Sequence, residues 1–165
     1  MNLMNKIYSD KKFMNLASPI LTHKEFLKTK SIAHHGNTRY NHSVRVAYTA
    51  YTISKILGGD LKATVRAGTL HDFFLVRGDN VVSSTKMLLE HPTIAKENAI
   101  NYFGVNEKEQ NIIESHMFPI SNVIPKSKEA WIVTFSDKLV AMLEGATRAK
   151  TQVTMWVLFL VNFIR

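Results

Sequence analysis

Six histidine and aspartate residues of this chain could together bind a catalytic metal ion, because they recur, with one adjacent pair, at intervals of about 20 to 30 positions. They are His42, His71, Asp72, His91, His116 and Asp137. Imidazole and carboxylate groups are the usual protein donors for catalytic zinc, iron and manganese. A helical chain that returns such a residue to its centre at each interval can build a metal site in its core.

The neighbours of His71 and Asp72 favour a ligand role for this adjacent pair before the other residues are considered. The pair lies between Leu70 and the aromatic residues Phe73 and Phe74, in the string AGTLHDFFL. A buried ionised carboxylate is very unfavourable unless it is paired with a cation or bound to a metal. The sequence therefore indicates a functional reason for placing polar groups here.

The other four residues each have an ordinary explanation when they are taken singly. His42 near the start of a predicted helix could cap that helix, and His91 before Pro92 could belong to a loop at a helix start. His116 follows an apolar turn and lies on or beside a buried face. Asp137 could form an ion pair, although aspartate has a poor helix propensity and local structure alone does not favour it.

Apolar residues recur mostly at spacings of three and four along the chain, which predicts helices and an all-α fold. Helices are predicted at about 11–16, 23–30, 42–57, 61–74, 84–89, 92–103, 107–116 and from about 127 onward. Asp60 is expected to cap one helix, and Asn106 with Glu109 forms a capping-box pattern. The glycines at 58 and 104 are expected to end helices. The segments HHGNTRYN, 76–84 and FPISNVIPKS are predicted connections.

The length of 165 residues predicts one domain, with a core at about 23–148 and an apolar C-terminal helix at 149–165. The chain has no cysteine, which excludes thiolate zinc sites, disulfide scaffolds and a cysteine nucleophile. That composition agrees with a reducing compartment. Because the N-terminus lacks the apolar run of a signal peptide, we expect a cytoplasmic protein.

The C-terminal string VTMWVLFLVNFI is strongly apolar but shorter than the roughly 20 residues that span a bilayer. It predicts a buried last helix or a homodimer contact rather than a membrane anchor. The formal net charge of +8 comes from scattered basic residues, without a run of five or six. This pattern fits either general solubility or the attraction of small phosphorylated ligands, and it does not predict a specific nucleic-acid site.

The order H…HD…H…H…D is the signature of the HD-domain metal-dependent phosphohydrolases, and this chain resembles that superfamily from about residue 23 to residue 144. The strings YNHSVRVA, AGTLHDFF, EHPTIAKENA, IIESH and FSDKL are similar to the matching family segments. Within the superfamily the chain is similar to small stand-alone bacterial members and to the branch that hydrolyses diadenosine tetraphosphate symmetrically. The 18 residues between Asp72 and His91 do not match a familiar substrate-binding insert.

The resemblance implies a metal centre between the core helices. By position, one metal would be held by His42, His71, Asp72 and Asp137. Asp72 would bridge to a second metal that His91 and His116 also bind. We expect two divalent ions per chain, with iron or manganese favoured over zinc, magnesium, nickel or cobalt.

The implied activity is hydrolysis of a nucleotide or another small phosphate ester or anhydride, and Asp72 is the residue on which catalysis would depend. Two divalent ions about 3.5–4 Å apart can share a water and lower its pKa, which gives a hydroxide nucleophile at neutral pH. Arg39 and Lys138 lie close in sequence to expected ligands and are predicted to bind the substrate phosphate, with Arg77 a weaker candidate. Glu114 and Ser115 are candidate acceptors for the imidazole N–H groups.

Two alternatives share the same residues. Some relatives on this fold use a di-iron pair to activate dioxygen, and the six ligands alone do not separate that chemistry from hydrolysis. A regulatory module that binds metal or nucleotide without turnover is the second alternative. It predicts bound metal without hydrolysis across a broad panel of phosphate compounds.

Overall fold

Eight α-helices follow one another in residues 3–34, 37–75 and 84–163, the parts of the chain that a computed structural model describes. They are α1 (Leu3–Ser9), α2 (Lys11–Leu21), α3 (Lys24–Leu27), α4 (Arg39–Leu57), α5 (Leu61–Leu70), α6 (Ser84–Phe103), α7 (Glu107–Ser115) and α8 (Lys128–Phe163). A 3-10 turn (Lys28–Ser31) follows α3, and the two-residue strands β1 (Ala33–His34) and β2 (Asn37–Thr38) pair antiparallel. The predicted all-α class is confirmed.

The predicted start and stop signals of the central helices are confirmed in detail. The Asp60 carboxylate accepts a hydrogen bond from the Ala63 N–H at 3.0 Å, which satisfies a free donor in the first turn of α5. Asn106 and Glu109 form a reciprocal capping box at the start of α7. Gly58 and Gly104 end α4 and α6 with φ values of 70° and 57°, a left-handed conformation that favours glycine.

Helix α4 begins at Arg39 rather than at His42, so the last three residues of the predicted connection HHGNTRYN are helical. Two further differences from the predicted helix boundaries change where a candidate ligand lies. Helix α5 ends at Leu70, so His71 and Asp72 occupy the turn that follows the helix rather than its interior. The Phe73 ring packs against Phe26 and Phe103 with centroid distances of 5.7 and 5.6 Å, and this packing replaces a further helical turn. Tertiary contacts here override the local apolar pattern.

The second difference concerns α6, which runs without interruption through Pro92. His91 therefore lies inside a helix and not at the start of one. Proline in a helix interior removes a hydrogen bond and usually bends the helix. Ala95 and Ala99 follow Pro92 in α6 and are buried in the core. This packing supports the helical conformation of the segment.

The N-terminal region also contains more helix than the sequence predicted. Helix α1 was not predicted, and α2 extends to Leu21, beyond the expected end near residue 16. The helix expected at 23–30 is divided into α3 and the 3-10 turn. The predicted connection at 76–84, with Arg77, falls outside the described residues except for its last position, where α6 begins.

Helices α4 and α5 pack closely because small residues face each other at their crossing. A Cβ atom added to Gly68 would lie 3.2 Å from the Cα of Ala47, closer than ordinary van der Waals contact. Gly68 is three residues before His71, and Ala47 is five residues after His42. This close approach brings the two imidazole rings to a centroid distance of 5.5 Å.

Helix α8 packs its buried face on α4 and α7 and leaves its outer face exposed. Val133 and Val140 are in the core, whereas Trp131, Phe135 and Met142 are exposed. No helix within the described ranges is both long enough and apolar enough to cross a membrane. The apolar C-terminal segment continues α8 to Phe163. Because its side chains are outside the described set, a homodimer contact there stays a prediction.

Replacing Gly68 by valine should destabilise the protein, because the new side chain would meet the backbone of Ala47 and force α4 and α5 apart. We expect a loss of about 1–3 kcal/mol in the free energy of unfolding, as is typical of an overpacked core. Urea denaturation followed by circular dichroism measures it.

The matched control is Gly145→Val, which lies in α8 where no described atom comes within 4 Å of an added Cβ. That substitution should change the free energy of unfolding by about 0.5 kcal/mol or less. Equal stability of the two variants would contradict the tight crossing of α4 and α5.

Candidate metal centre

All the residues that the sequence indicated as ligands meet in one cluster at the centre of the helical bundle, which we call the His–Asp cluster. Its members are His42, His71, Asp72, His91, His116 and Asp137. They come from the first turn of α4, the turn after α5, the middle of α6, the residue that follows α7 and the first third of α8. Five of the six are buried, and Asp137 is partly buried.

One side of the His–Asp cluster is formed by His42, His71 and Asp137. The Asp137 Oδ1 atom lies 3.0 Å from His42 Nε2 and 3.5 Å from His71 Nε2. One donor atom from each of these residues falls within 4.8 Å of the others, a spacing that suits a shared metal ion. The Asp72 Oδ2 atom is 4.0 Å from His71 Nε2 and closes this side of the cluster.

The other side is formed by His91 and His116 around the second oxygen of Asp72. The Asp72 Oδ1 atom lies 3.3 Å from His91 Nε2 and 3.7 Å from His116 Nε2. The two imidazole Nε2 atoms are themselves 3.0 Å apart. Asp72 therefore presents one carboxylate oxygen to each side. His71, Asp72 and His116 also have donor atoms within 4.8 Å of one another, so the two sides are continuous.

Hydrogen bonds to helix carbonyls fix which nitrogen of His71 and His116 faces the cluster. His71 Nδ1 is 2.8 Å from the Gly68 carbonyl oxygen, and His116 Nδ1 is 2.7 Å from that of Ile113. A carbonyl oxygen can only accept, so Nδ1 must carry the proton in each neutral ring. The Nε2 lone pairs consequently point into the cluster, as a metal ligand requires.

His71 Nε2 supplies a direct test of whether a cation fits this cluster. It is buried and has no hydrogen-bond partner within the described residues. Leaving a buried acceptor unsatisfied costs about 1–3 kcal/mol. Neither nearby carboxylate can donate a hydrogen bond to it while ionised, whereas a divalent cation would satisfy the lone pair and both carboxylates together. The residues present therefore fit a divalent metal.

Glu144 is the polar contact of the cluster that the sequence did not predict. Its Oε2 atom lies 2.9 Å from His42 Nδ1, and its Oε1 atom accepts hydrogen bonds from Arg45 Nη1 at 3.1 Å and Asn37 Nδ2 at 3.4 Å. A signal was present in the sequence, because Glu144 follows Asp137 by seven residues. Two helical turns place both carboxylates on the same face of α8.

The imidazole acceptors predicted from sequence, Glu114 and Ser115, are not the acceptors for His42, His71 or His116. Those three rings use the Glu144 carboxylate and the two backbone carbonyls. Glu114 forms an ion pair with Lys96 at 2.6 Å instead. Sequence proximity to His116 was the basis of the prediction, and a helix turns an adjacent side chain onto another face.

The protonation states of the metal-free cluster follow from burial and from its internal charges. Burial, and to a smaller extent the neighbouring His71, lower the pKa of His116 to about 3, so this ring is neutral at physiological pH. Burial opposes ionisation of Asp137, but its hydrogen bond with His42 holds the pKa of Asp137 well below the usual range. Neutral imidazole and ionised carboxylate are the states that bind metals.

His42 is protonated in the metal-free cluster at neutral pH. Burial alone would lower its pKa, but the hydrogen bonds with Asp137 and Glu144 and the charge of Asp72 raise the pKa of His42 to about 9. A proton at Nε2 thus accounts for the 3.0 Å contact with Asp137. A metal ion bound at this nitrogen would replace that proton.

The two cations predicted to bind phosphate both lie beside the His–Asp cluster, where each also contacts a backbone carbonyl. Arg39 is buried, donates from Nη1 to the Phe74 carbonyl at 2.6 Å, and its guanidinium carbon stands 3.6 Å from the Phe74 ring centroid. Lys138 is exposed and donates from Nζ to the His116 carbonyl at 2.9 Å. Burial lowers the pKa of Arg39, an effect that the charge of Asp72 opposes.

Comparison with known proteins identifies the class to which this fold and cluster belong. The model of the HD domain family matches residues 39–142, more than half of the chain, and all six cluster residues lie inside that range. The chain therefore belongs to the HD domain family. HD domains bind divalent metals, and the His and Asp groups described above could hold such an ion.

A curated relative gives a more particular likeness. The chain is 35% identical over 85 residues to the symmetrical bis(5'-nucleosyl)-tetraphosphatase of Staphylococcus aureus (strain NCTC 8325 / PS 47), and the match covers 43% of each protein. This chain thus spans less than half the length of that relative. No solved structure matches the chain.

The stability of the metal-free protein should be greatest near pH 6.5 and should fall on both sides. His42 has a folded-state pKa of about 9, so its contribution is fully present below about pH 6.5, the unfolded value, and is lost as the pH rises toward 9. His116 acts in the opposite direction. Its folded pKa of about 3 favours unfolding as the pH falls below about 6.5. Urea denaturation of chelator-treated protein across this range measures both limbs.

The substitution His42→Gln provides the control for the alkaline limb, since glutamine does not titrate. The stability of that variant should change little between about pH 6.5 and 9. An equally steep alkaline decline in the wild type and the variant would show that His42 does not cause it.

Proposed function

We propose that this protein is a metal-dependent phosphohydrolase that cleaves a nucleotide or another small phosphate ester or anhydride. The observation that supports the proposal most strongly is the placement of the Asp72 carboxylate. Its Oδ2 atom faces the His42, His71 and Asp137 side of the cluster, and its Oδ1 atom faces His91 and His116. A carboxylate held between two sets of donors is suited to bridge two cations.

The proposed ligand assignment follows these two sides. The first ion would bind His42 Nε2, His71 Nε2, Asp137 and one oxygen of Asp72. The second would bind the other oxygen of Asp72 with His91 and His116. Because nitrogen and carboxylate donors are present without thiolates, we propose iron or manganese as the native metal. Zinc, magnesium, nickel and cobalt are the alternatives.

The chemistry proposed for the site divides between the ions and the protein. Divalent ions bound here would supply an activated water and would neutralise charge on the phosphate oxygens. The buried Asp72 carboxylate would keep both ions at a fixed separation. His71 and His116, held by carbonyls at their Nδ1 atoms, would keep their orientation without further side-chain support.

Lys138 and Arg39 are the proposed phosphate contacts, with different constraints on each. The Lys138 ammonium group has three N–H donors and uses one of them on the His116 carbonyl, so others remain to meet a phosphate oxygen. Arg39 has five N–H donors and places its Nη1 on the Phe74 carbonyl, two residues after Asp72. The net charge of +8 would add a general attraction for anionic substrates.

The substrate class we propose is a nucleotide containing a phosphate anhydride. Support comes from the likeness to a symmetrical bis(5'-nucleosyl)-tetraphosphatase, although the matched region covers less than half of that enzyme. Symmetrical cleavage of such a compound by one water yields two nucleoside diphosphates. Identification of the products would therefore report directly on the position of attack.

The experiment that tests the proposal begins with elemental analysis of protein purified without added metal. The same protein, loaded in parallel with manganese or iron, is then incubated aerobically and anaerobically with a dinucleoside tetraphosphate, a nucleoside triphosphate and tripolyphosphate. We expect about two ions per chain and hydrolysis that does not need oxygen, which separation of the nucleotide and phosphate products would detect. Bound metal without hydrolysis of any compound would favour a regulatory binding module. A strict oxygen requirement would favour oxygenase chemistry.

Substitution of the cluster residues should separate the two metal positions. Asp72→Ala should remove both ions and reduce hydrolysis at least about 100-fold, because the bridging carboxylate would be lost. His116→Ala should remove the second ion preferentially and leave the first. Elemental analysis of each purified variant, together with initial rates, measures the effect.

The control is Glu114→Ala, which removes a carboxylate two residues from His116 that points to Lys96 and not into the cluster. It should retain both ions. Equal metal content in the wild type and Asp72→Ala would refute the ligand assignment.

A further inference from the structure

Glu144 makes a set of contacts that joins α8 to the beginning of α4 at the His–Asp cluster. Its buried carboxylate receives three hydrogen bonds, and all three come from residues 37–45. One oxygen meets the Nδ1 atom of His42. The other oxygen accepts from Arg45, one helical turn after His42, and from Asn37 in β2. The carboxylate is therefore fixed through both oxygens.

The position of Glu144 relative to the His42 ring shows that it does not compete for the proposed ion. Glu144 Oε2 is on the Nδ1 side of the ring at 2.9 Å, whereas Asp137 Oδ1 is on the Nε2 side at 3.0 Å. The two nitrogens of an imidazole point in different directions, so a carboxylate at Nδ1 leaves Nε2 directed at the cluster. Glu144 thus contacts a candidate ligand without entering the cluster itself.

His42 depends on a side chain for this orientation, whereas His71 and His116 depend on the backbone. The Gly68 and Ile113 carbonyls that hold the latter two rings belong to helices α5 and α7. They are present whatever residues occupy those positions. The acceptor for His42 is a carboxylate that a single substitution can remove, and ligand histidines are commonly oriented by an acceptor of this kind.

We propose that Glu144 is a positioning residue that holds His42 as the Nδ1–H tautomer and thereby sets the metal affinity of the first position. Arg45 supports it by anchoring the second carboxylate oxygen. This inference rests on the proposed metal-dependent function. The second position, with His91 and His116, receives no contact from Glu144 among the interactions described here and should not depend on it.

The chain offers a closely matched control for a substitution of Glu144. Glu129 is also a buried glutamate on α8, and it too is paired with a cation, with its Oε2 atom 3.1 Å from Lys108 Nζ. Its Oε1 atom accepts from the Asp60 N–H at 2.8 Å, at the turn between α4 and α5. Asp60 and Lys108 do not belong to the His–Asp cluster, so Glu129→Gln removes a comparable buried charge without removing a contact of the cluster.

The experiment measures binding of manganese and zinc to the metal-free full chain by titration calorimetry, for the wild type, Glu144→Gln, Glu144→Ala and Glu129→Gln. We expect Glu144→Ala to weaken the first position about 10- to 100-fold and leave the second unchanged. Glu144→Gln should lose less, because its amide oxygen can still accept from Nδ1–H. Glu129→Gln should bind both ions as the wild type does, even if its melting temperature falls.

A second readout follows the tautomer directly and needs no activity. Nitrogen-15 spectra of the histidine rings in the zinc-loaded protein should show a proton on Nδ1 of His42 in the wild type. That signal should change in Glu144→Ala while the signals of His71 and His116 persist. A structural role alone would not alter one ring selectively.

The outcomes separate this inference from the proposed function. A wild type that binds two ions but hydrolyses nothing would overturn the phosphohydrolase proposal. The role of Glu144 would still be supported if Glu144→Ala weakened binding at the first position alone. Equal affinities in the wild type and Glu144→Ala, or equal losses at both positions, would overturn the role of Glu144. A loss in Glu129→Gln as large as that in Glu144→Ala would overturn it as well.

Discussion

Burial of several ionisable side chains at one point in an apolar helical core is the constraint on which the rest of this structure depends. Each imidazole and carboxylate removed from water loses its hydration and must regain an equivalent interaction inside the protein. The structure meets most of this requirement with its own atoms, through carbonyls at His71 and His116 and a carboxylate at His42. The lone pair of His71 Nε2 is the part that the described protein atoms leave unmet.

The same local device supplies two of the ligands. His71 and His116 are each the residue directly after the end of a helix, and each contacts the carbonyl three residues earlier with Nδ1. Carbonyls in the last turn of a helix lack an intrahelical partner, so they are free to accept from a side chain. The negative ends of both helix dipoles also point toward the cluster, which favours a cation there. The ends of α5 and α7 therefore prepare the site before any ligand binds.

The all-α class was predicted from local signals, whereas the resemblance to the HD superfamily indicated which distant histidines and aspartates would lie together. Helix periodicity, the Asp60 cap and the capping box at Asn106 act over a few residues, and the order of histidines and aspartates is visible in one dimension. The predicted end of α5 and the predicted break in α6 were wrong, because tertiary packing decided both. Phe73 packs in the core after α5, and the alanines after Pro92 pack in the core along α6. The contact of Glu144 with His42 was missed because Glu144 lies outside the order of histidines and aspartates on which the resemblance depends, and its partner is 102 residues away.

The wide spacing of the cluster residues along the chain has a consequence for the life of the protein in a cell. A metal ion that binds residues between positions 42 and 137 can recognise the folded chain but not the unfolded one. Bound ions therefore add to the free energy of unfolding in proportion to the logarithm of their free concentration. Under metal starvation the unfolded fraction would grow, and proteases would remove it. The abundance of the protein would then follow the metal supply, without any dedicated sensor.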